Sequence, residues 1–421
     1  MLLFRRLALA ASVALSGTHT ALAEEPAQVV AAYAEIALAG YQDSLTTARA
    51  LDAAIAALIA DPSETTLAAA REAWKATRVP YMQTEVFRFG NPVVDDWEGR
   101  VNAWPLDEGL IDYTAGDYIG AYDENPFADL NIIASPALNV AGRQVDAREI
   151  TPALLQSLHE LDGIEANVAT GYHAIEFLLW GQDLNGTGPG AGARPFTDYV
   201  QGEGCTGGNC DRRATYLAAA STLLVADLAE MVEAWGDGGA ARAAVVADPV
   251  AGLRAMLTGM GSLSYGELAG ERMRLGLLLN DPEEEHDCFA DNTHHSHFHD
   301  VVGIRNVWTG RYRRIDGSEV AGPSLAALVA AADARTAEEL SARIDASVAV
   351  MQAIVDAAEA GMAYDMMLAP GNDAGAALIM AGVEALIAQT RSIERAVAAL
   401  ALGEIEIEGS DSLDNPAAVM Q

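Results

Sequence analysis

Residues 171–180 read GYHAIEFLLW, an apolar stretch that contains one imidazole and one carboxylate. On a helix, the spacing of three residues puts His173 and Glu176 on the same face, close enough to share a ligand or a proton. A glutamate is almost never fully buried without a partner, so Glu176 requires one. The stretch therefore predicts a buried helix that carries either a structural His–Glu pair or part of a ligand site.

Helical patterns continue on both sides of this stretch, whereas alternating strand patterns are scarce. Residues 24–60 have apolar positions at helical spacing, and residues 61–64 (DPSE) supply an N-cap, a first-turn proline and a capping-box acid for a helix to about Gly90. Residues 151–152 begin another helix. Further helices are predicted at residues 212–236, 249–279, 290–309, 323–363 with a break near 333, and 372–402.

The predicted fold class is all-α, with two helical-bundle domains of long antiparallel helices. A long irregular excursion over residues 91–150 interrupts the first half, and such loops in compact domains usually have a function or pack over another element. The expected division of the chain is a signal peptide at 1–23, an N-terminal bundle half at 24–200, a C-terminal bundle half at 201–402 and an acidic flexible tail at 403–421.

The N-terminal residues have the features of a secretory signal peptide. Arg5 and Arg6 precede an apolar run at residues 7–17, and residues 21–23 (ALA) form a small-x-small cleavage site. We expect cleavage after Ala23 and a periplasmic location, with peripheral attachment to the outer membrane as an alternative. Glycines and charged residues interrupt every later apolar run, so no transmembrane segment is predicted.

The chain is strongly acidic, with 60 Asp and Glu residues against 25 Lys and Arg residues and a formal net charge of −35. A field of this sign repels nucleic acid and anionic lipid and attracts cations. We therefore expect no nucleic-acid partner. Solubility in a saline medium is the favoured explanation of this charge, which is also compatible with cation handling.

The three cysteines suggest an oxidising compartment. Cys205 and Cys210 lie in a Gly-rich loop, where we expect them to form a short disulfide. Two thiols without a second pair are too few for a zinc site. Cys288 is then left over and is expected to be a buried small hydrophobe.

Two of the predicted helices carry charged residues at helical spacing. Trp74, Arg78, Tyr81, Glu85 and Arg88 recur at intervals of three or four and form one stripe. Aromatic residues between the charges indicate that this face packs against another element while its ions stay paired. Either an interhelical ion-pair network or a ligand site accounts for the stripe.

A second charged face lies on the predicted helix at residues 249–279. Glu267 and Glu271 are four residues apart, and like charges at this spacing repel each other unless a cation lies between them. Arg272, Arg274 or a metal ion are the candidates for that cation. Gly259, Gly266 and Gly270 share one face of the same helix, which predicts a close approach of another backbone there.

Residues 283–300 contain five of the eight histidines of the chain. His295 and His299 have the spacing that clamps a metal on a helix face. An exposed cluster also binds metals without any physiological purpose, so the role of His295, His297 and His299 stays open.

Five blocks of the sequence resemble the imelysin family, a group of bacterial envelope proteins that are iron-regulated or classed as peptidases. The block at residues 171–176 resembles the GxHxxE motif of the family. The other blocks are WxxxRxxYxxxExF at residues 74–87, WPLDEG at 104–109, GELAGER at 266–272 and EHxCFxDNTH at 285–294. The resemblance implies a metal site, with iron as the first metal and zinc as an alternative, and other envelope iron-uptake proteins as partners.

The metal ligands expected on this basis are His173, Glu176, Glu85 and Glu267, because imidazole and carboxylate suit iron or zinc better than calcium. A helical bundle supplies such ligands from facing helices. The residues expected to bind a ligand or to support the metal ligands are Trp74, Arg78, Tyr81, Asp107, Arg272, Asp291, Asn292 and His294.

Two alternative functions remain from the sequence. The first is a metallopeptidase of the imelysin type, but an inverted zincin requires HxxEH and Phe177 occupies the position of its second histidine. The second is a non-catalytic periplasmic ligand-binding protein that holds a small ligand or a metal-bearing molecule in a cleft between the two halves. We therefore expect binding rather than catalysis.

Overall fold

The computed structural model describes residues 25–115 and 125–419, and helices dominate it. The predicted signal peptide therefore lies outside the described residues, as do residues 116–124 of the excursion. The all-α prediction is confirmed. The long helices are α1 (Pro26–Ala60), α2 (Glu64–Met82), α3 (Pro92–Asn102), α6 (Gly171–Trp180), α7 (Cys210–Trp235), α9 (Pro249–Ser262), α11 (Thr293–Thr309), α13 (Ala334–Glu359) and α15 (Asp373–Ala399).

Shorter elements connect the long helices. The short helices are α4 (Glu108–Ile111), α5 (Pro152–Leu158), α8 (Ala240–Val246), α10 (Gly276–Leu279), α12 (Leu325–Ala332), α14 (Tyr364–Leu368), α16 (Asp411–Asp414) and α17 (Pro416–Val419). Two antiparallel hairpins complete the described elements. Their strands are β1 (Ala137–Val140) with β2 (Arg143–Asp146), and β3 (Arg311–Arg313) with β4 (Glu319–Ala321).

The N-terminus of α2 differs from the prediction in its cap. Ser63 is the N-cap: its hydroxyl accepts the Thr66 N–H at 3.2 Å, and the Thr66 hydroxyl accepts the Ser63 N–H at 3.0 Å. Asp61 instead ends α1, so the capping box begins two residues later than predicted.

The C-terminus of α2 also comes earlier than predicted. The helix ends at Met82, two residues after Pro80, which cannot donate a backbone hydrogen bond to the preceding turn. A separate 3₁₀ turn, Glu85–Phe87, follows. The predicted stripe is therefore divided, with Trp74, Arg78 and Tyr81 on α2 and Glu85 on the turn.

The helices enclose two hydrophobic cores. The larger core lies among α1, α2, α6, α7 and α9, and its largest side chains include Trp74, Trp235 and Tyr33. The smaller core joins α11, α13 and α15, with Met273, Met351 and Ile379 at its centre. Helix α7 packs against α1 within the larger core. The domain boundary near residue 200 stays a prediction.

Among the described helices, α15 is long and apolar enough to cross a membrane by length and composition. Its apolar residues Ile379, Val383 and Leu386 lie in the smaller core, in contact with α13. The buried core helix of a globular protein meets the same criterion of length and composition.

A π-helix, Leu263–Leu275, continues α9 without a break. Its glycines allow the end of the chain to lie against it: a Cβ at Gly266 would meet the Glu408 carbonyl oxygen at 2.7 Å, and one at Gly270 would meet Ser410 Cβ at 2.3 Å. The predicted close approach at these glycines is confirmed. Part of the segment expected to be a flexible tail is therefore packed.

The predicted disulfide between Cys205 and Cys210 is present. It closes the loop that precedes α7. Cys288 is free and half-buried.

Candidate metal centre

Helix α6 begins at a glycine that no other residue can replace without strain. Gly171 has φ +82°, and a Cβ there would lie 2.4 Å from the carbonyl oxygen of Val101. The backbone of α6 therefore touches the end of α3, and all ten residues of α6 are buried. This contact places His173 and Glu176 in the interior of the protein.

His173 and Glu176 contact each other, as their spacing predicts. His173 Nδ1 lies 2.9 Å from Glu176 Oε2, and the other oxygen of Glu176 accepts the Ala290 N–H at 2.9 Å. The carboxylate thus connects α6 to the loop before α11. When His173 Nδ1 carries the proton and donates it to this carboxylate, the Nε2 lone pair of His173 is available to a metal ion.

A second imidazole, from the same loop, lies next to this ring. His286 lies edge-to-face on His173, with ring centroids 4.7 Å apart. Ligand atoms of His173, His286 and Asp287 all lie within 4.8 Å of one another, and all three residues are buried. Within residues 25–115 and 125–419, this is the group of ligand atoms with a spacing that fits a metal ion.

Two nitrogens of this cluster have no hydrogen-bond partner in the described part of the chain, namely His173 Nε2 and His286 Nδ1. Buried polar atoms are normally satisfied, so two such atoms on adjacent rings require an explanation. A metal ion that accepts both lone pairs satisfies them. The donor set of two imidazoles and one carboxylate therefore fits a divalent metal.

Asp287 is held from several sides before any metal binds. Its Oδ1 accepts the Arg78 guanidinium at 2.9 Å, and its Oδ2 accepts the Asn292 amide at 2.8 Å and the Ser296 hydroxyl. Burial opposes the charge of this group, but Arg78 outweighs it and brings the pKa of Asp287 down to about 2. Asp287 is therefore a carboxylate at any physiological pH.

The two imidazoles are uncharged, because burial and nearby arginines disfavour their protonated form. Burial, together with Arg78, lowers the pKa of His173 to about 3, and burial and Arg272 lower the pKa of His286 well below its usual value. Burial raises the pKa of Glu176 well above its usual value, and Asp287 adds to that effect. Neutral imidazole is the form that binds a metal, so these rings need not lose a proton first.

A second polar cluster surrounds Arg272 on the π-helix. This guanidinium lies 2.9 Å from Glu85, 2.7 Å from Glu267 and 3.1 Å from Asp300. The structure therefore places Glu85 and Glu267, two of the expected metal ligands, around an arginine. A cation was expected between Glu267 and Glu271. Arg272 is that cation, and it pairs with Glu267.

The remaining predicted residues lie at different distances from the cluster. Asn292 holds Asp287, and the Trp74 indole donates to the Tyr172 carbonyl oxygen at 2.9 Å. The Tyr81 ring packs on Tyr172. Asp107 occupies the N-cap position of α4, and its side chain accepts a hydrogen bond from the side chain of Asn125. Asp291 and His294 follow the cluster in the chain, each with one buried atom that has no partner among the described residues.

Of the later histidines, His297 differs from its neighbours. It is fully buried against Tyr364, with ring centroids 5.1 Å apart, and neither ring nitrogen has a partner in the described residues. His295 and His299 are half-buried.

A cleft of about 740 Å³ leads from the surface to the cluster. Asn102, Trp104, Arg272 and His286 are among the residues that line it. The side-chain amide nitrogen of Asn102 donates to Glu85 Oε2 at 3.3 Å and lies 3.4 Å from His286 Nε2. Asn102 therefore connects the two polar clusters. The cleft gives a ligand a path to the His286 side of the centre.

His286, Asp287 and Asn102 were not expected at the site. His286 and Asp287 lie in the EHxCFxDNTH block, beside residues that were expected there. The available signal was the position of His286 between two acids in a family-like block. Asn102 ends α3 and had no local signal.

Buried acids away from the centre predict a pH dependence of stability. Burial raises the pKa of Glu108 to about 8 and that of Asp227 to about 6. Because these folded-state pKa values exceed the unfolded ones, both groups favour folding at low pH, and their contribution is lost as the pH rises from about 4.5 to 8. The buried neutral histidines act in the opposite direction, so we expect the effect of each acid as a difference between the wild type and a variant that lacks it.

The Glu108→Gln variant tests this prediction, because the amide stays neutral throughout. It should reduce the loss between pH 5.5 and 8, by at most about 1.4 kcal/mol per pH unit for one group. Glu203→Gln, at an exposed position, is the control and should leave the pH profile unchanged. A stability difference between Glu108→Gln and the wild type that stays the same from pH 5.5 to pH 8 contradicts the prediction.

The comparisons with known proteins come from a family model and from solved structures. The Imelysin model (Peptidase_M75) matches residues 37–393. A crystal structure from Parabacteroides distasonis ATCC 8503, of a protein named as an iron-regulated protein A precursor, aligns with a TM-score of 0.64 at 19% identity and covers 91% of this chain and 97% of that chain. At that identity the likeness concerns the fold alone, and no curated protein matches the sequence. Since the family model covers most of the chain, the protein belongs to the imelysin family.

Proposed function

We propose that this protein binds a divalent metal ion, with iron as the first candidate and zinc as the alternative, at the cluster of His173, His286 and Asp287. One observation carries the proposal: three buried ligand atoms lie within 4.8 Å of one another, and two of the residues present nitrogens without a partner in the described chain. Neither helix packing nor an ion pair accounts for those nitrogens.

The chemistry of the donors supports ferrous iron among the candidates. Two histidines and one carboxylate form the ligand set typical of non-haem iron(II), and the same donors also suit zinc. Glu176 acts from behind the ligands, since its bond to His173 Nδ1 orients the ring and increases the basicity of Nε2. Arg78 and Asn292 hold Asp287 in the same way.

Two further points support an envelope role in iron uptake or homeostasis. The N-terminal residues have the pattern of an export signal, and the related structure from Parabacteroides distasonis is of a protein named as iron-regulated. We propose a periplasmic protein that holds iron, or a ligand that contains iron, and that acts with other envelope iron-uptake proteins.

The cleft supports a second candidate function, that of a non-catalytic ligand-binding protein. A cleft of about 740 Å³ exceeds the needs of a bare ion and matches the size of a small-molecule site. Its lining mixes Arg88, Arg100 and Arg272 with acidic side chains. A metal chelate with carboxylate groups would suit both the arginines and the ligand atoms at the end of the cleft.

Metal titration of the mature protein tests the proposal. We expect one tight site per chain for ferrous iron under anaerobic conditions, measured by calorimetry, and metal in the untagged protein by elemental analysis. His173→Ala should weaken that site by about 100-fold or more, since removal of a ligand costs at least as much as removal of a supporting residue. Glu176→Ala should weaken it by about 10- to 100-fold.

The matched control is His295→Ala, which removes an imidazole outside the cluster and should affect only weak additional binding. Unchanged tight binding in His173→Ala and His286→Ala would rule out the proposed site. If His173→Ala instead abolished a chelator-sensitive proteolytic activity, the metallopeptidase alternative would be supported.

A further inference from the structure

A small cavity lies next to the metal centre and is lined by other residues. The loop before α11 forms one wall of it, the loop after α6 a second and α14 a third. Its charged lining consists of the carboxylates of Asp183, Glu283, Glu285 and Asp365. None of the three residues of the metal cluster lines it.

The size of the cavity suits a single ion. Its volume is about 10 Å³, roughly the space that one water-sized sphere requires. No organic ligand fits there. The cavity can therefore hold one water molecule or one cation.

Two of the carboxylates are buried without a compensating charge. Glu285 is 1% exposed, and its Oε2 has no hydrogen-bond partner within the described residues. Asp365 is 2% exposed, and no side chain in the described chain donates to either of its oxygens. Asp183 is half-buried and Glu283 lies at the rim.

Basic side chains do not neutralise this group. In residues 25–115 and 125–419, no lysine, arginine or histidine forms an ion pair with any of the four carboxylates. Elsewhere in the same protein, buried acids such as Asp112 and Asp287 do have arginine partners. A buried carboxylate without such a partner is strongly unfavourable, so these two acids carry their charge only when a cation lies beside them.

We propose that this cavity is a second cation site, which takes a hard divalent cation such as calcium on Glu285 and Asp365, with Asp183 and Glu283 at its rim. Carboxylate oxygens are the donors that calcium prefers, whereas iron and zinc favour the imidazoles of the neighbouring centre. The carboxylates do not converge as tightly as the three residues of the metal cluster, so Asp183 and Glu283 would have to move toward a bound cation.

The position of the site gives the cation a structural consequence. Asp365 lies on α14, whose neighbours Tyr364 and Met367 belong to the smaller core, whereas Asp183 follows α6 of the larger core. A cation between them connects both cores. It also fixes Glu285, the residue directly before His286.

Calcium titration of the mature, chelator-treated protein tests the proposal. We expect one calcium ion per chain by calorimetry and a calcium-dependent rise in melting temperature. Glu285→Gln and Asp365→Asn should each weaken calcium binding about tenfold or more, while His173→Ala leaves it unchanged. Without calcium, both variants should melt at or above the wild-type temperature, because each replaces a buried acid that has no basic partner by a neutral amide.

Asp345→Asn, at an exposed position, removes one charge from the same acidic protein and is the matched control. Equal calcium affinity in the wild type, Glu285→Gln and Asp365→Asn would overturn the proposal, as would a loss of calcium binding in His173→Ala. The iron titration and the calcium titration report on different residues, so failure of one site is distinguishable from failure of the other.

Discussion

Replacing Arg272 by methionine will strongly destabilise the protein, because it leaves several carboxylates without their shared cation. The side chain is 1% exposed and pairs with Glu85, Glu267 and Asp300, of which Glu85 and Asp300 are themselves buried. Removing one partner of a buried ion pair costs about 3 to 5 kcal/mol, because the remaining charge is left unpaired. We expect a loss of at least that size in the free energy of unfolding, measured with urea.

Two further variants separate the loss of charge from the loss of packing. Arg272→Lys keeps the charge but lacks the planar guanidinium that reaches three carboxylates, so it should restore little of the stability. Adding Glu85→Gln to Arg272→Met removes one unpaired carboxylate and should recover part of the loss. Arg395→Met breaks only the exposed pair with Glu339 and should cost about 1 kcal/mol or less. If Arg272→Met cost as little as Arg395→Met, the Arg272 network would not be structural.

Replacing Gly171 by alanine will both destabilise the protein and weaken the metal centre. The new Cβ would lie 2.4 Å from the Val101 carbonyl oxygen and 2.6 Å from its carbon, and backbone atoms cannot rotate away as a side chain can. The cost combines overpacking of about 1 to 3 kcal/mol with a left-handed conformation of about 1 kcal/mol. Relief of the clash would move α6, and with it His173, away from His286.

Gly163→Ala is the matched control for Gly171→Ala. Gly163 has φ +74° and no atom within 4 Å of its ideal Cβ, so alanine there brings backbone strain without a clash. It should cost about 1 kcal/mol and leave metal affinity unchanged. Urea unfolding and metal titration of both variants give the two quantities. Equal losses in the two variants would contradict the close contact between α6 and α3.

The fold class was predictable because helical periodicity is a local property of the sequence. The predicted helices at residues 212–236 and 372–402 differ from α7 and α15 by at most a few residues at either end. The excursion at residues 91–150 was less predictable: it includes α3, an eleven-residue helix whose Asn91 cap and Pro92 mark its start. Short helices between loops offer too few turns for a periodic pattern to stand out.

The candidate site was predictable only in the part that one helix supplies. His173 and Glu176 lie three residues apart, and the structure shows the contact that this spacing implies. His286 and Asp287 come from a loop more than a hundred residues later in the chain, and only the packing of α6 against that loop brings them together. Charge type alone could not tell which carboxylates face an arginine, so Glu85 and Glu267 were grouped with the ligands.

The winding of the π-helix matters for any attempt to transfer the Glu267–Arg272 pair to another protein. Hydrogen bonds from residue i to i+5 place residues five apart nearly above one another, which is how Glu267 meets Arg272 at 2.7 Å. In an α-helix, neighbours on one face are three or four residues apart. A designer who copies Glu267 and Arg272 at their native spacing onto an ideal α-helical scaffold will find the two side chains on different faces, whereas a spacing of four residues would restore the pair.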